Sequence, residues 1–198
     1  MIIRETERLR IRNWRESDRD LFAEINSDSK VMEFFPHRRS RAESDALFDR
    51  IARTIEETGF GFFALALREN DAPIGFCGLA CTDLEPHLPD GTIEIGWRLA
   101  LPHWAKGYVT EAARALLEYG FGERELSEIV SFAVPANTRS TAIMQRLGMR
   151  PDPTRDFDHP RVPDTQRHLK RHVLYAITAE EWKCCSSAVR PLGAPKSL

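Results

Sequence analysis

The sequence is poor in cysteine, and its cysteines do not stand in a spacing typical of metal sites. Four occur in 198 residues, without a Cys-x-x-Cys pair or a cysteine–histidine set at zinc spacing. Cys77 and Cys81 lie in an apolar run and are expected in the core. Cys184 and Cys185 are adjacent in a polar tail. We therefore expect no bound metal.

The sequence also lacks a long apolar run and an excess of charge of either sign. No run is long enough to span a bilayer, and the N-terminal stretch MIIRETERLR lacks the apolar segment of a secretory signal. Lysine and arginine number 28 against 30 acidic residues, a formal net charge of -2, whereas nucleic-acid-binding surfaces are usually basic. We therefore expect a cytoplasmic protein with reduced thiols that engages neither membrane nor nucleic acid.

Hydrophobic periodicity divides the chain into strands and helices without an internal repeat. Period-two segments predict strands at residues 9–12, 62–67, 74–82, 92–99, 128–134 and 172–177. Helical spacing predicts helices at residues 16–27, 41–58, 111–121 and 137–147. This order favours one mixed α/β domain over residues 1–183 with a mostly antiparallel sheet, followed by a flexible tail over residues 184–198.

The segment between the strand at 92–99 and the helix at 111–121 is the most informative about chemistry. Lys106 and Gly107 stand in it shortly before the helix. A glycine lets a ligand approach the backbone closely. The first amides of a helix have no intrahelical partner and lie at the positive end of its dipole. The pattern fits a bound anion such as a pyrophosphate, although taken alone it also fits a plain strand-to-helix turn.

Four segments carry a family resemblance when they are taken in order. They are TERLRIR (6–12), EIGWRL (94–99), WAKGYVTEAARALLEYGF (104–121) and PANTRSTAIMQRLGM (135–149). Together they resemble the GNAT superfamily of N-acetyltransferases, and within it the ribosomal-protein N-acetyltransferase branch, over residues 6–182. The resemblance implies a GNAT-like fold, with helices on both faces of a twisted, mostly antiparallel sheet. It also implies acetyl-CoA as co-substrate, an amine as acceptor, and a monomer or homodimer.

The resemblance places the pantetheine of acetyl-CoA between two strands. They are the central strand at residues 92–99 and the strand at 128–134, which follows the helix at 111–121. Trp97 and Leu99 would offer it backbone groups, and Asn137 would also touch the cofactor. The residues implied around the pyrophosphate are Trp104, Lys106, Gly107, Tyr108, Val109 and Thr110. The family loop usually reads Gln/Arg-x-x-Gly-x-Gly/Ala, so Trp104 and Val109 depart from it. Val109 keeps a backbone N–H, and we expect binding through amides.

Two residues are candidates for catalysis. The resemblance suggests Glu94 as the base that deprotonates the amine, and a base acting near neutral pH needs a pKa raised by burial. The alternative is that Glu94 is an ordinary polar strand residue facing solvent. Ser140 would lie near the sulfur and stabilise or protonate the leaving thiolate, whereas Asn137 and Ser140 together also read as a simple helix cap. No nucleophile motif indicates a covalent acyl-enzyme.

The acceptor pocket is implied by the resemblance at the loop between the first two helices and at the loop before the last strand. The corresponding residues are Phe34, Phe35, His37 and Arg38, together with residues near Phe157 and His159. The phenylalanines could equally be core residues. An arginine-rich rim of Arg12, Arg38 and Arg39 leads to the hypothesis of an acidic acceptor.

The leading hypothesis is acetyl transfer from acetyl-CoA to a primary amine of a protein N-terminus or small molecule, by direct attack in a ternary complex. The alternative is a non-catalytic acyl-CoA-binding sensor or interaction module on the same fold, because a fold does not determine its function. A third hypothesis is an α/β interaction domain without a cofactor. Glu94 and Ser140 favour the enzyme, because a binder needs neither.

Overall fold

Nine strands and five α-helices make up residues 1–188, the part of the chain that the computed structural model describes. The strands are β1 (Ile2–Glu5), β2 (Leu9–Arg12), β3 (Gly61–Leu67), β4 (Pro73–Cys81), β5 (Ile93–Leu99), β6 (Glu128–Ala133), β7 (Arg150–Pro151), β8 (Phe157–Asp158) and β9 (Arg171–Thr178). The helices are α1 (Arg19–Ser27), α2 (Arg41–Thr58), α3 (Tyr108–Gly122), α4 (Thr138–Arg146) and α5 (Ala179–Ala188). Short 3-10 turns lie between several of them.

The strands form one sheet in the order β1-β2-β3-β4-β5-β6-β9-β7, and β8 pairs with β9 off this path. Among the described strands, every pairing is antiparallel except that of β5 with β6. These two strands are joined through α3, the kind of crossover that parallel strands need. The predicted mixed, mostly antiparallel sheet is confirmed, and its single parallel junction lies near the middle.

Helices cover both faces of the sheet, as the resemblance implied. The rings of Phe76 on β4 and Phe22 on α1 lie 6.3 Å apart. A Cβ at Gly120 of α3 would lie 3.0 Å from the Leu79 side chain, three positions further along β4. Because successive strand residues point to opposite faces, this odd spacing puts α1 and α3 on opposite sides of the sheet.

Helix α2 has the predicted bounds because both of its ends carry strong local signals. The Ser40 side chain accepts the backbone N–H of Glu43, and the Glu43 carboxylate accepts the Ser40 N–H at 2.7 Å. This reciprocal pair is a capping box. Gly59 ends the helix with a φ of 73°, a left-handed conformation that glycine adopts without strain.

The elements that the sequence pattern missed are short or terminal. Strand β7 begins at Arg150, one residue before the predicted loop 151–163, and β8 lies within that loop. Each has two residues, too few to show a period. Helix α5 continues to Ala188, so the proposed tail of residues 184–198 begins inside it, and residues 189–198 lie outside the described residues. Cys77 is buried as predicted, whereas the prediction for Cys81 is wrong, because this residue is exposed at the end of β4.

Candidate active site

Strands β5 and β6 pair at one point and then separate. Within the described strands, their register joins only Glu94 to Val130, although β5 continues to Leu99 and β6 to Ala133. The edge of β5 beyond Glu94 therefore faces a gap instead of a hydrogen-bonded neighbour. An extended chain with amide groups can add to such an edge like an extra strand. The gap thus fits the pantetheine arm that the resemblance assigns to it.

The loop after β5 enters α3 through left-handed backbone. Ala105 has a φ of 59° and Gly107 a φ of 80°, and α3 begins at Tyr108, three residues before the predicted start. The helix has no side-chain cap, so the amides of its first turn remain available to a ligand. A Cβ at Gly107 would meet only Arg8 Nη2, at 3.4 Å. With Lys106 exposed beside it, this terminus fits an anionic group such as a pyrophosphate.

Arg8 is a second cation at this loop, which the sequence pattern did not single out. Its Nη1 donates to the carbonyl oxygen of Lys106 at 2.9 Å, and its Nε donates to Glu111 at 2.6 Å. The guanidinium lies over the Tyr108 ring, 4.8 Å from the centroid. Arg8 precedes Lys106 by 98 positions, so only the fold reveals that it belongs to the loop.

Two of the predicted cofactor residues hold the end of β5 in place. The Trp104 indole Nε1–H donates to the carbonyl oxygen of Leu99 at 2.9 Å. This bond ties the loop to the strand and uses one lone pair of a carbonyl that the resemblance assigned to pantetheine. Trp97 packs against the main core, and Leu99 is 5% exposed. Their side chains therefore serve packing, and their backbone is what remains for a ligand.

Asn137 and Ser140 form the N-terminal cap of α4. Asn137 Oδ1 accepts the backbone N–H of Ser140 at 3.2 Å, as the capping interpretation predicts. Ser140 is half-buried, and its hydroxyl makes no hydrogen bond to another residue in the range 1–188. The cap is thus accounted for, and the cofactor contact of Asn137 and the sulfur contact of Ser140 stay predictions.

A cavity of about 540 Å³ opens between the loop before α3 and the segment after α1. It is lined by Ser29, Lys30, Glu33, Leu101, Trp104 and Arg139. Arg139 of α4 pairs with Glu33 at 2.7 Å and lies over the Trp104 ring, 4.7 Å from the centroid. The cavity therefore adjoins both the predicted cofactor loop and the predicted acceptor loop.

Glu94 occupies the point where β5 and β6 begin to separate. It is half-buried, and burial together with the nearby charge of Asp83 raises the pKa of Glu94 to about 7, against the opposing charge of Arg161. Asp83 and Arg161 form an ion pair with each other. A carboxyl group with this pKa exchanges its proton near neutral pH, and Glu94 is therefore not a fully solvated strand residue.

Aromatic and histidine rings line the sheet on the side of Glu94. We call this set the aromatic wall; it consists of His87, Phe132, Phe157, His159 and His172, with ring centroids as close as 4.9 Å. Phe132 stands two positions after Val130, the partner of Glu94, and therefore on the same face. Burial lowers the pKa of His159 to about 4, so its ring is neutral at neutral pH. The two residues predicted near the acceptor, Phe157 and His159, lie together in this wall.

The four predicted acceptor residues between α1 and α2 do not gather at one point. Phe34 packs on a small apolar cluster of Val134, Val162 and Leu169. Phe35 is 41% exposed and lies over the guanidinium of Arg98 on β5, 4.1 Å from the ring centroid. His37 and Arg38 are exposed. The structure therefore brings only Phe35 of the four against β5, and Arg98 is a neighbour that the sequence reasoning missed.

Arg12 is not part of an acceptor rim, and the hypothesis that put it there is wrong. It is 2% exposed, and its Nη1 and Nη2 donate to Asp18 at 2.7 and 3.1 Å. Its Nε contacts Asp71 at 3.3 Å. Since two carboxylates match its charge inside the fold, Arg12 fastens the start of α1 and the β3–β4 turn to β2.

Neither a metal-binding cluster nor a membrane-spanning helix is present in residues 1–188. No group of three or more histidine, cysteine, aspartate or glutamate side chains could hold a metal ion. No helix there has the length and apolar character needed to cross a bilayer.

Comparison with known proteins agrees with this geometry. Residues 8–150 match the acetyltransferase (GNAT) domain. The chain is 32% identical to the uncharacterised N-acetyltransferase YnaD of Bacillus subtilis over 177 residues. This aligned region covers 89% of this chain and 97% of YnaD. It is 33% identical over 91 residues to the FsC-acetyl coenzyme A-N(2)-transacetylase of Aspergillus fumigatus, 45% of this chain and 37% of that one. A GNAT-family acetyltransferase structure from Bacillus anthracis has a TM-score of 0.74 at 29% identity, covering 91% of this chain and 99% of its own. The chain belongs to the GNAT family and is an acetyl-transferring acyltransferase.

Proposed function

We propose that the protein moves the acetyl group of acetyl-CoA to a primary amine by direct attack in a ternary complex. The observation that carries this proposal is Glu94, a half-buried carboxyl group with a pKa of about 7 at the start of the β5–β6 gap. Only a neutral amine attacks a thioester, so the acceptor must lose a proton near the reacting carbonyl. Glu94 accepts that proton directly or through a water molecule.

We call the β5–β6 gap and the residues around it the cleft, and its donor side is built mainly from backbone groups. Acetyl-CoA, when bound, supplies an activated acetyl thioester. The free edge of β5 near Trp97 and Leu99 takes the pantetheine arm through main-chain hydrogen bonds. The amides at the start of α3, with Lys106 and Arg8, hold the pyrophosphate. The Val109 side chain is 9% exposed, so Val109 contributes its N–H alone, which accommodates its departure from the family loop. The Aspergillus relative, whose name contains acetyl coenzyme A, supports this choice of donor.

Ser140 is assigned to the leaving thiolate. Its backbone N–H is used by the Asn137 cap, and its hydroxyl keeps a donor for a ligand because the described chain does not use it. A hydroxyl donor beside a departing thiolate stabilises the developing negative charge. Ser140 therefore acts on the leaving group, whereas Glu94 acts on the attacking amine.

The acceptor is a protein N-terminal amine or the amine of a small molecule. The acceptor side of the cleft consists of Glu94, Arg98 with Phe35 against it, and the aromatic wall, which lies on the same face of the sheet as Glu94. The phenylalanine rings and the neutral His159 ring of this wall favour the neutral form of an amine over its ammonium form. They also protect the thioester from water.

Thiol release measures this function. The protein is mixed with acetyl-CoA and a panel of primary amines, release of free thiol is followed, and the acetylated amine is identified by its mass. We expect amine-dependent release with stoichiometric product. Binding of acetyl-CoA in calorimetry without turnover of any amine or any N-terminal peptide would leave a binding protein and overturn the proposal. As a matched pair, Ser140→Ala should lower turnover, whereas Thr141→Ala, one position further on α4, should not.

A further inference from the structure

Arg98 is an arginine within the fold that no carboxylate balances. It stands four positions after Glu94 on β5 and therefore on the same face of the sheet. Within residues 1–188 its guanidinium makes one hydrogen bond, from Nη1 to Oδ1 of Asn26. Its Nε is inaccessible to solvent and has no partner. A charged group in this position lacks the counter-ion that buried charges normally require.

Arg39 brings a second positive charge to the same place, and it forms no ion pair with a carboxylate of the described residues. Its Nε is also inaccessible and without a partner, and its backbone N–H donates to the carbonyl oxygen of Asn26 at 2.8 Å. Asn26, which is completely buried, thus contacts both arginines. Burial and the charge of Arg39 lower the pKa of Arg98 to about 9, so Arg98 still carries its charge at neutral pH.

Two other arginines within the described fold have carboxylate partners. Arg12 is paired with Asp18 at 2.7 Å. Arg155, which is half-buried, is paired with Glu128 at 2.7 Å. Arg98 and Arg39 differ from these two arginines, because no ion pair joins either of them to a carboxylate of the described residues. An anion from outside the chain would supply the counter-ion that these two arginines lack.

The remaining donor of Arg98 suits an anion. Asn26 uses Nη1 and the fold covers Nε, which leaves Nη2 for a ligand. A carboxylate oxygen that accepts from Nη2 forms a charge-assisted hydrogen bond. Phe35 and Phe76 lie against the same guanidinium, at 4.1 and 5.3 Å, and stacking of this kind fixes the plane in which the donors point. Phe35 is 41% exposed, so this part of β5 lies near solvent.

We infer that Arg98 and Arg39 bind a carboxylate of the acceptor, so the substrate is an amine that also carries an acid group. This inference rests on the proposed function, since Glu94 locates the amine. The four-residue separation of Glu94 and Arg98 spans about 13 Å between their Cα atoms. The amine and the carboxylate are therefore separated by several atoms, as in an ω-amino acid or a short peptide.

Kinetics with matched amines test the inference. The series is glycine, γ-aminobutyrate and ε-aminocaproate, each compared with the alkylamine of equal length. We expect kcat/KM to rise with the length of the amino acid and to exceed that of the matched alkylamine for ε-aminocaproate. Arg98→Met should raise the KM for ε-aminocaproate by about 10- to 100-fold, the loss expected for hydrogen bonds to a charged group. The KM for acetyl-CoA should not change.

Matched variants separate recognition from folding. Arg39→Met should reproduce the KM effect in part. Arg98→Lys should lie between wild type and Arg98→Met, because it keeps the charge and loses the planar guanidinium that stacks against Phe35. Arg53→Met is the control, since Arg53 is exposed on α2 and outside both sides of the cleft. If Arg98→Met does not fold, Arg39→Met and the binding measurements below decide.

Binding without turnover distinguishes this inference from the proposed function. Calorimetry with hexanoate, hexyl phosphate and N-hexylacetamide needs neither acetyl-CoA nor an acceptor amine. Binding of hexanoate that is lost in Arg98→Met supports the carboxylate site even if no amine is ever acetylated. Failure of hexanoate to bind, preference for hexyl phosphate, or equal turnover of hexylamine and ε-aminocaproate would each overturn the inference while leaving acetyl transfer intact.

Discussion

The two sides of the cleft are made from different kinds of group. The side that we assign to the donor consists of backbone: the edge of β5, the left-handed loop at Gly107 and the first turn of α3. The acceptor side consists of side chains, namely Glu94, Arg98 and the aromatic wall. Backbone recognition depends little on residue identity, whereas side-chain recognition changes with each substitution. One GNAT scaffold can therefore keep its donor and vary its acceptor.

The largest effect is expected from removing the base on the acceptor side. Glu94→Gln should lower kcat by about 10²- to 10⁴-fold, the usual contribution of a general base. The dissociation constant for acetyl-CoA should stay the same, because the donor side does not use this carboxylate. Steady-state kinetics and calorimetry measure the two quantities. Glu56→Gln, an exposed change on α2, serves as control, and an unchanged kcat in Glu94→Gln would remove Glu94 from the mechanism.

The same substitution should stabilise the protein above neutral pH. Glu94 has a pKa of about 7 in the folded protein, above the ordinary value of 4.5 for a glutamate, so the folded protein binds this proton more tightly than the unfolded chain does. Stability from Glu94 is complete below pH 4.5 and is lost as the pH rises through 7. The free energy of unfolding of Glu94→Gln minus that of wild type should therefore be about 3 kcal/mol larger at pH 8 than near pH 4.

Urea unfolding at both pH values measures this difference. Subtracting the difference between variant and wild type measured near pH 4 from that measured at pH 8 removes any effect of packing the amide in place of the acid. A difference between variant and wild type that does not change with pH would mean that Glu94 is solvated, and the acceptor side would then lose its base.

The comparison also shows which parts sequence patterns can reveal. Helix α2 begins at the capping box of Ser40 and Glu43 and ends at Gly59. Its predicted bounds are correct because these signals are local in sequence. The donor loop is local too, since it lies between adjacent elements β5 and α3. Its predicted helix start was late by three residues because Gly107 serves as the N-cap without a side-chain bond.

The acceptor side could not be predicted in the same way because its parts are distant in sequence. Arg98 meets Asn26 across 72 positions, and Asp83 meets Arg161 across 78. Arg12 and Arg98 look alike as basic residues on strands. Only the fold shows that Asp18 matches the first and that no described carboxylate matches the second.

A change on the donor side should have a smaller effect, confined to cofactor binding. Gly107→Ala forces a side chain onto a φ of 80°, which costs about 1 kcal/mol, and places a methyl group beside the free amides of α3. We expect the dissociation constant for acetyl-CoA to rise about tenfold, with the KM for the amine nearly unchanged. Calorimetry and steady-state kinetics give both values.

Gly91→Ala is the matched control for this prediction. Gly91 has a similar φ of 76°, and a Cβ there would meet nothing within 4 Å. It should lose comparable stability without any loss of acetyl-CoA affinity. Equal affinities in the two variants would mean that the loop at Gly107 is only a turn.

The smallest effect is a shift of the pH profile by the ion pair next to Glu94. The charge of Asp83 raises the pKa of Glu94, and that of Arg161 lowers it. Asp83→Asn removes the first and leaves Arg161 unopposed, so kcat should reach its plateau at lower pH. Arg161→Met should move the profile to higher pH. Each shift should be less than about one unit, because both side chains are largely exposed.

The double variant separates the effect of charge from that of structure. With both charges absent, the profile of kcat should lie between those of the two single variants, because the two electrostatic contributions have opposite signs. A structural effect of either loop would instead lower kcat at every pH and would add in the double variant. Profiles that move in the same direction in both single variants would show that Asp83 and Arg161 do not act on Glu94 through charge. The raised pKa of Glu94 would then be due to burial alone.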